Sequence, residues 1–498
     1  MPQHHGALLG FPLVVVAILG AKAPAQDLAA FRTDQIARLQ NYVLDAIQPS
    51  GLVRDSLVLN PAASSFHPAT PDAAGFALVS LAAFDQLGTL PNAGQKVVDI
   101  LRAYNGLTPG VTPLRSPNGH YLHFLDINTG GDPPGWDDSY SPIGSALVVA
   151  GAQFARNHFA MAGSPLAGEI DALTQTLTES IDFNAAIHPS RDGRVWLDMT
   201  SSGGGAGGAV RPWNEYQLVV SLALRQQGNN DRAVAVRRQW LNAQLAPKQS
   251  YQGIVTATDS PSGFAPAFWT QQAQFFNGDF RNDPKFQTLL TNQQRADRQY
   301  SAQVLEEAYR YGLTAGVSPD GYYADRILDH PGEVFSPEAV AAWGDIETLL
   351  DFAADQPPAS DPRYRYGLVR VSDAQPGWVP NDAGLVDHLF LLFGLVESLE
   401  PSFFAERVFA PLAAGDFNFD GSVDAADYTV WRDSVGTTSN MAADADLDGD
   451  VDVVDRLLWA TNYGAGFGVA TTRSVPEPGG LILVTIGLVW ASAGRRNR

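Results

Sequence analysis

Cysteine is absent from the 498 residues, so disulfides, thiolate metal sites and a cysteine nucleophile play no part in this chain. Cations are scarce: 32 Lys and Arg stand against 53 Asp and Glu, a formal net charge of −21. Phosphate binding relies on clustered cations whose counterion release drives association, and no such cluster occurs, which argues against a nucleic-acid partner. No glycine-rich loop ends in Lys-Ser or Lys-Thr, so a phosphate cradle is missing too, and no histidine pair has metal-ligand spacing. The run Ser201 to Gly208 reads as a flexible loop. What is present is apolar: 45% hydrophobic and 10% aromatic residues suffice for a sizeable core, and the length suits one large domain with attachments.

The two ends read as addresses. An apolar run from Ala7 to Gly20 precedes Ala23-Pro24-Ala25, small residues at the positions a signal peptidase reads before Gln26, so residues 1–25 are expected to be a secretory signal, with a buried N-terminal helix as the alternative. At the other end Val475-Pro476-Glu477-Pro478 is followed by an apolar stretch from Gly479 to Gly494 and then Arg495, Arg496 and Arg498. This order resembles the PEP-CTERM sorting tail of Gram-negative bacteria, here over 475–498 as a terminal hydrophobic helix with a basic end. The stretch is shorter than the ~20 residues of a stable span, and its arginines favour the cytoplasmic side. The resemblance implies transient inner-membrane contact, cleavage by a sorting protease, and residence in the cell envelope or outside the cell. An ordinary single-span anchor is the alternative.

Between Gly415 and Tyr463 the composition turns to Asp, Gly and Val. Asp416, Asn418, Asp420, Gly421, Asp424 and Asp427 occupy positions 1, 3, 5, 6, 9 and 12 of a loop, and Asp444, Asp446, Asp448, Gly449, Asp452 and Asp455 repeat them, 444 − 416 = 28 residues later. Calcium takes six to eight oxygens; carboxylates at 1, 3 and 5 put them on one side of a turn that Gly at 6 permits, and Ser422 and Asp450 at position 7 add a backbone carbonyl. Each loop runs into a helix, with Tyr428, Val430 and Trp431 after the first and Leu457, Leu458 and Trp459 after the second. The duplicated loop-helix unit over 415–464 resembles type I dockerin. That implies two Ca2+ sites, a cohesin-like partner, and folding coupled to the metal. A linker, 465–474, follows.

Over 26–410, helix-length amphipathic runs alternate with Gly- and Pro-rich loops: Phe31–Ala46, Gly75–Leu87, Ile143–His158, Trp213–Arg225, Tyr300–Tyr311, Ala339–Ala353 and Gly384–Leu399. Val and Ile alternation is scarce, so the domain reads as mainly α with long functional loops, the pattern of an α/α barrel. The runs Gly119 to Gly130 and Ser141 to Ala146, then Trp213-Asn214-Glu215-Tyr216, Gln271 to Arg281, Gly312 to Ala315 and Ser318 to Tyr322 resemble, in that order, glucoamylase-like (α/α)6 barrel domains. That family includes β-1,2-glucan hydrolases, so the resemblance implies an (α/α)6 toroid with a polysaccharide substrate at its loop-lined mouth.

Sugar rings stack on aromatics, and Trp136, Trp213, Phe268, Trp269, Tyr322, Tyr323 and Trp378 are the candidate platforms. Hydrolysis needs a protonated carboxylic acid at the glycosidic oxygen and a second carboxylate. Glu215, between aromatics at an expected helix start, is the candidate acid; capping its own helix is the alternative. Asp137 and Asp138 are candidates for the second carboxylate, for sugar hydroxyl contacts, or for a plain acidic turn. Asp320 reads as a turn residue or a sugar contact, and Asp387 with His388 as a core pair or part of the barrel mouth. Where the resembled family carries a Glu and an Asp, this chain has Ser139 and Gly144. A non-catalytic glycan-binding or structural envelope or matrix protein therefore stands beside the exported glycoside hydrolase as a reading.

Overall fold

The computed structural model describes residues 28–60, 66–260, 262–305, 310–354, 356, 360–437 and 441–466. The expected signal segment, the expected sorting tail with its expected apolar helix and most of the expected linker lie outside the described residues, and no described helix is long and apolar enough to cross a membrane. The chain divides into two compact units: the larger runs to Pro411 and takes in Leu447–Gly449, and the smaller comprises the rest from Leu412 onward.

The larger unit is mainly helical: α1 (Leu28–Ala46), α2 (Pro71–Gln86), α3 (Ala93–Tyr104), α4 (Pro142–Met161), α5 (Ala167–Glu179), α6 (Gln217–Leu224), α7 (Asp231–Leu241), α8 (Phe268–Phe276), α9 (Gly278–Arg281), α10 (Pro284–Val304), α11 (Pro337–Ala342), α12 (Leu349–Ala354), α13 (Leu385–Leu399) and α14 (Phe403–Arg407). Two kinds of sequence make two kinds of helix. In α6 every residue is buried, and α2, α4 and α13 are buried over most of their surface. By contrast α5 buries only Ile170, Leu173, Thr174 and Leu177, one stripe at helical spacing. Helices apolar all round belong inside and striped ones cover them. The inner helices touch in sequence: α2 lies against α4, α4 against α6, α6 against α8, α8 against α11, α11 against α13, and α13 returns to α2.

Two contacts in this series are backbone to backbone. A Cβ on Gly75 of α2 would lie 2.3 Å from the Leu147 carbonyl oxygen of α4, and one on Gly394 of α13 would lie 1.9 Å from the Ala341 oxygen of α11. Only glycine permits such an approach. Where these helices meet, Phe76 packs on Phe276, Phe390 and Phe393 at centroid distances of 4.7–5.5 Å.

The N-termini of α2 and α4 are capped alike, with Thr70 and Ser141 hydroxyls accepting from Ala73 and Gly144 backbone N–H groups and proline at the first helical position. They are also neighbours, because a Cβ on Gly144 would meet Pro71 Cγ at 2.9 Å. Packing thus accounts for a residue without a side chain at 144.

Several sequence expectations are corrected. The helix expected from Trp213 begins at Gln217, since Trp213 itself is left-handed (φ 79°). Of the segment expected from Tyr300 to Tyr311, Tyr300–Val304 is the end of α10 and part of the rest lies outside the described residues, and Ala339–Ala353 is broken between α11 and α12. Hairpins are more frequent than Val and Ile alternation suggested: Val195–Met199 pairs with Gly205–Val210, Lys248–Tyr251 with Ile254–Ala257, and Ala315–Ser318 with Gly321–Ala324, while Ser56–Val58 pairs with the distant Asp382–Gly384. Half of the glycine-rich run is therefore a strand rather than a flexible loop.

In the smaller unit α15 (Ala425–Ser434) and α16 (Val453–Asn462) are capped by equivalent residues, Asp424 with Asp427 and Asp452 with Asp455. Each tryptophan indole crosses to the other half: Trp431 Nε1 donates to the Asp452 carbonyl (2.7 Å) and Trp459 Nε1 to the Asp424 carbonyl (2.8 Å). Phe417, Ala443 and Val451 form the small core beneath them.

Candidate active site

Acids gather at the N-terminal ends of the inner helices. Asp72 is the second residue of α2, Glu215 stands just before α6, Glu338 is the second residue of α11 and Asp387 the third of α13. Asp382 belongs to the strand pair Ser56–Val58/Asp382–Gly384 and Asp55 precedes it, its carbonyl accepting from the first N–H of α13 (2.8 Å). Removal from water is the main force on these groups. It pushes Asp387 up to about 7, with Glu338 and Asp72 adding and Arg370 opposing. Burial likewise raises Asp55, helped by Asp72 and opposed by His67, whose ring lies 3.5 Å from Asp382.

Glu215 is raised to about 7 by burial, with Asp259 adding and its own backbone N–H opposing. Next to this group Arg370 and Glu338 form a buried ion pair, and Arg370 Nη2 donates to the Ala315 carbonyl (2.6 Å). Gly316 makes room for that guanidinium, since a Cβ there would sit 1.8 Å from Arg370 Nη1.

Tyr322 on the hairpin Ala315–Ser318/Gly321–Ala324 marks where these acids converge. The residue is 69% exposed, and Asp387, Asp55, Glu215 and Arg370 all lie within electrostatic reach of its hydroxyl. Burial raises its hydroxyl pKa, Asp387, Asp55 and Glu215 push the same way, and Arg370 opposes. A neutral phenol ringed by carboxyls is a donor for sugar oxygens.

A second group lies around Ser139. Backbone bridges Leu122↔Tyr140 and Tyr140↔Met199 lay three extended segments side by side, which brings His123, Ser139 and Asp198 together. Ser139 Oγ is 2.6 Å from Asp137 Oδ2 and 3.2 Å from Asp198 Oδ1, and His123 Nδ1 is 3.9 Å from Asp137 Oδ2. The Ser139 hydroxyl and then its N–H hold the Asp137 carboxyl below its ordinary value, while burial raises half-buried Asp198. A register shift between Trp196 and Asp198 re-aims the strand, and Gly207 leaves space, since a Cβ there would lie 2.3 Å from Asp198 Oδ2. Between the two acidic groups runs an aromatic ridge: His123 stacks on Phe124 (4.2 Å), Phe124 meets Trp136 (4.8 Å), and Trp136 faces His67 (6.3 Å).

Most residues singled out in the sequence fall into four sets. Glu215 and Asp387 lie within electrostatic reach of Tyr322, and half-exposed Trp136 stands on the aromatic ridge beside His67. Trp378, also half-exposed, lines a separate cavity of about 530 Å³ with Arg310, Arg363 and Arg370. Asp137 is an exposed turn carboxylate, Asp138 is exposed beside it, and Asp320 is the second residue of the tight hairpin turn between Ser318 and Gly321. Trp213 and Trp269 require correction as sugar platforms: each is 1% exposed, and they pack with Phe280 and Phe286, so no ring face is left for a sugar. Sequence reasoning missed Asp198, Asp55, Glu338 and Arg370, which stand in loops and helix starts with no local motif.

The acidic loops of the smaller unit curl inward. Buried Asp416 accepts from the N–H groups of Asp420 and Gly421, and buried Asp427 from those of Phe417, Asn418 and Asp424. In the second loop Asp444, Asp446 and Asp455 each offer an oxygen within 4.8 Å of the others.

No protein-family model and no curated protein matches the chain. Solved structures do. A candidate glucoamylase from Bacteroides fragilis NCTC 9343 superposes with a TM-score of 0.66 at 19% identity, over 79% of this chain and 96% of that one. An endo-β-1,2-glucanase from Chitinophaga pinensis, in complex with sophorotriose and glucose, gives 0.64 at 15% identity over 77% and 95%. An endo-β-1,2-glucanase from Talaromyces funiculosus with sophorose gives 0.53 at 12% over 76% and 90%. The larger unit thus has the mainly helical fold of glucoamylase-like and endo-β-1,2-glucanase proteins.

Proposed function

We propose that this chain is an exported glycoside hydrolase acting on a glucan, its larger unit an (α/α)6 toroid with the substrate across the N-terminal ends of the inner helices. The closed series of inner-helix contacts supports the toroid, and the β-1,2-glucanases of like fold supply the substrate class. One observation carries the catalytic reading: burial raises the Glu215 carboxyl to about 7, and further carboxyls share its surroundings, Asp387 and Asp55 acting with it on Tyr322 and Asp198 acting with it on Tyr216.

In this reading Glu215 donates its proton to the glycosidic oxygen as the bond to the anomeric carbon breaks. A facing carboxylate either takes a proton from the attacking water or itself attacks that carbon. Asp137 and Asp138 are placed at the rim, Trp136 and Tyr322 as sugar contacts, and Asp320 and Trp378 as outlying contacts. Incubating the full chain with β-1,2-, β-1,3- and α-linked glucans and measuring new reducing ends tests this: product from wild type and none from Glu215→Gln supports it.

The smaller unit is proposed to be a dockerin-like module with two Ca2+ ions. Asp416, Asn418, Asp420, Ser422, Asp424 and Asp427 would hold one, and Asp444, Asp446, Asp448, Asp450, Asp452 and Asp455 the other. The inward-turned carboxylates fit a hard cation, which would supply charge balance and folding energy. Docking to a cohesin-like protein, export by the N-terminal signal, transient inner-membrane contact and release by a sorting protease complete the proposal.

A non-catalytic glycan-binding or structural envelope protein is the second reading. Ser139 and Gly144 favour it, because they leave the start of α4 without a carboxylate. Glucan binding without new reducing ends would select it.

A further inference from the structure

The hydroxyl of Ser139 has one proton and two carboxylate oxygens within hydrogen-bond reach, Asp137 Oδ2 at 2.6 Å and Asp198 Oδ1 at 3.2 Å. It donates to only one of them. With both carboxyls ionised, the proton points to the nearer Asp137, and Asp198 faces an oxygen lone pair. Once Asp198 gains a proton, it becomes a donor to Ser139 Oγ, and an unbroken chain results: Asp198 to Ser139 to Asp137.

The two ends of that chain differ. Asp137 is exposed, accepts the Ser139 N–H as well as its hydroxyl, and lies beside His123. Asp198 is half-buried, on a strand whose neighbouring carbonyl, that of Leu197, accepts the Tyr216 hydroxyl (2.6 Å), so the residue next to Glu215 is fastened to it. Tyr216 feels both Glu215 and Asp198. The groups facing Asp198 are Ser139, Asp137, His123 and Tyr216.

We propose that Asp198 is the second carboxylate of the site, and that Ser139 and Asp137 form a relay that carries its proton out to solvent. The inference rests on the hydrolase reading and deepens it by naming the proton acceptor. In the step, the O–H bond of the attacking water breaks as its oxygen bonds the anomeric carbon, and the proton goes to Asp198. Glu215 meanwhile gives its proton to the departing sugar oxygen. Asp198 then protonates Ser139 Oγ, whose own proton passes to Asp137 and on to water, which restores the ionised base. Burial of Asp198 strengthens it as a base, whereas Asp137, held low by Ser139, releases its proton readily. Asp198 is catalytic in this scheme; Ser139 and Asp137 act through it.

The test uses the full chain. Aspartate 13Cγ resonances, assigned by Asp198→Asn and Asp137→Asn, are followed against pH in wild type and Ser139→Ala. Linked two-step titration of Asp198 and Asp137 in wild type, and independent single steps in Ser139→Ala, are expected; independent steps in wild type overturn the shared proton. On β-1,2-glucan, Ser139→Ala is expected to lower kcat about tenfold with KM unchanged and to enlarge the solvent isotope effect. Asp198→Asn is expected to lower kcat about 10²–10⁴-fold. Wild-type kcat and isotope effect in Ser139→Ala, with linked titration present, overturn the relay and leave the hydrolase standing. A wild type that cleaves no glucan defeats the hydrolase reading, and the resonances still decide the proton sharing.

Discussion

Replacing Glu215 by Gln keeps the shape of the side chain and removes its proton chemistry. An ordinary glutamic acid has a pKa of 4.5, and burial raises this one to about 7, a difference of about 2.5 units. At pH 7 roughly half the molecules then carry the proton, against about one in 300 for an unperturbed side chain, so burial raises the acid form about 150-fold. Glucan hydrolysis by wild type should therefore hold up to about pH 7 and fall tenfold per unit above it. Glu215→Gln should lose about 10²–10⁴-fold in kcat and, with it, that alkaline limb. Asp259→Asn should move the limb to lower pH, because Asp259 adds to the shift.

Stability gives an independent reading. A raised carboxyl makes the folded state hold more protons than the unfolded one between 4.5 and 7, so its contribution favours folding at low pH and is lost as pH rises through 7. The full shift corresponds to about 3 kcal/mol at most, less after screening by solvent. Glu215→Gln should thus be more stable than wild type at pH 8 and indistinguishable at pH 4.5, read from urea midpoints. Activity within threefold of wild type, or a limb unchanged in Glu215→Gln and abolished in Asp387→Asn, would refute the assignment of the acid.

Gly75→Ala should destabilise by about 1–3 kcal/mol or more, because the new methyl meets the Leu147 carbonyl at 2.3 Å. An ordinary exposed helix glycine gains about 1 kcal/mol from the same change, so the sign of the urea-midpoint shift decides. Titration calorimetry of the full chain should find two calcium ions, one in Asp427→Ala or Asp455→Ala; two ions retained in both variants would defeat the loop assignment. Trp136→Ala should raise KM for glucan with little change in melting, whereas Trp269→Ala, which hollows the core, should cost about 3–5 kcal/mol of stability. The reverse pattern would mean that the platform has been placed wrongly.

The inner helices α2, α4 and α13 were legible because burial on every side demands continuous apolar and small residues, as in Val79–Phe84 or Leu389–Val396. The end of α11 after six residues was missed although Gly344, left-handed (φ 80°) just past the Trp343 cap, is a local stop signal. Glu215 was legible by its company, but the reason for its raised pKa was not. Its aromatic neighbour Trp213 turns into the core with Trp269 and Phe280, and burial with Asp259 does what the aromatic ring was expected to do. Asp198 stayed hidden because its partners come from segments about 60 and 75 residues upstream in the chain, joined only by single backbone bridges.

Burial, more than position relative to a helix start, sets the raised acids, since Asp387 lies in the first turn of α13 and Glu215 lies before α6, and both are raised to about 7. Aligned peptide dipoles leave about half a positive charge at an N-terminus, which favours an ionised carboxylate within the first turn. Asp72 and Glu338 lie inside their helices at the second position, and Glu338 also has Arg370 against it. Glu215 is two residues outside α6, because the left-handed Trp213 delays the helix to Gln217. A non-glycine residue in that conformation costs of order 1–3 kcal/mol, and such strain persists where the surrounding structure holds it. Here burial of the indole holds it, and the result is a carboxyl enclosed by protein yet beyond the first turn, with no arginine to balance it. Continuing the helix back through Trp213 would place Glu215 in the first turn, where the dipole would oppose burial, as it does at Asp387, which burial nonetheless raises to about 7.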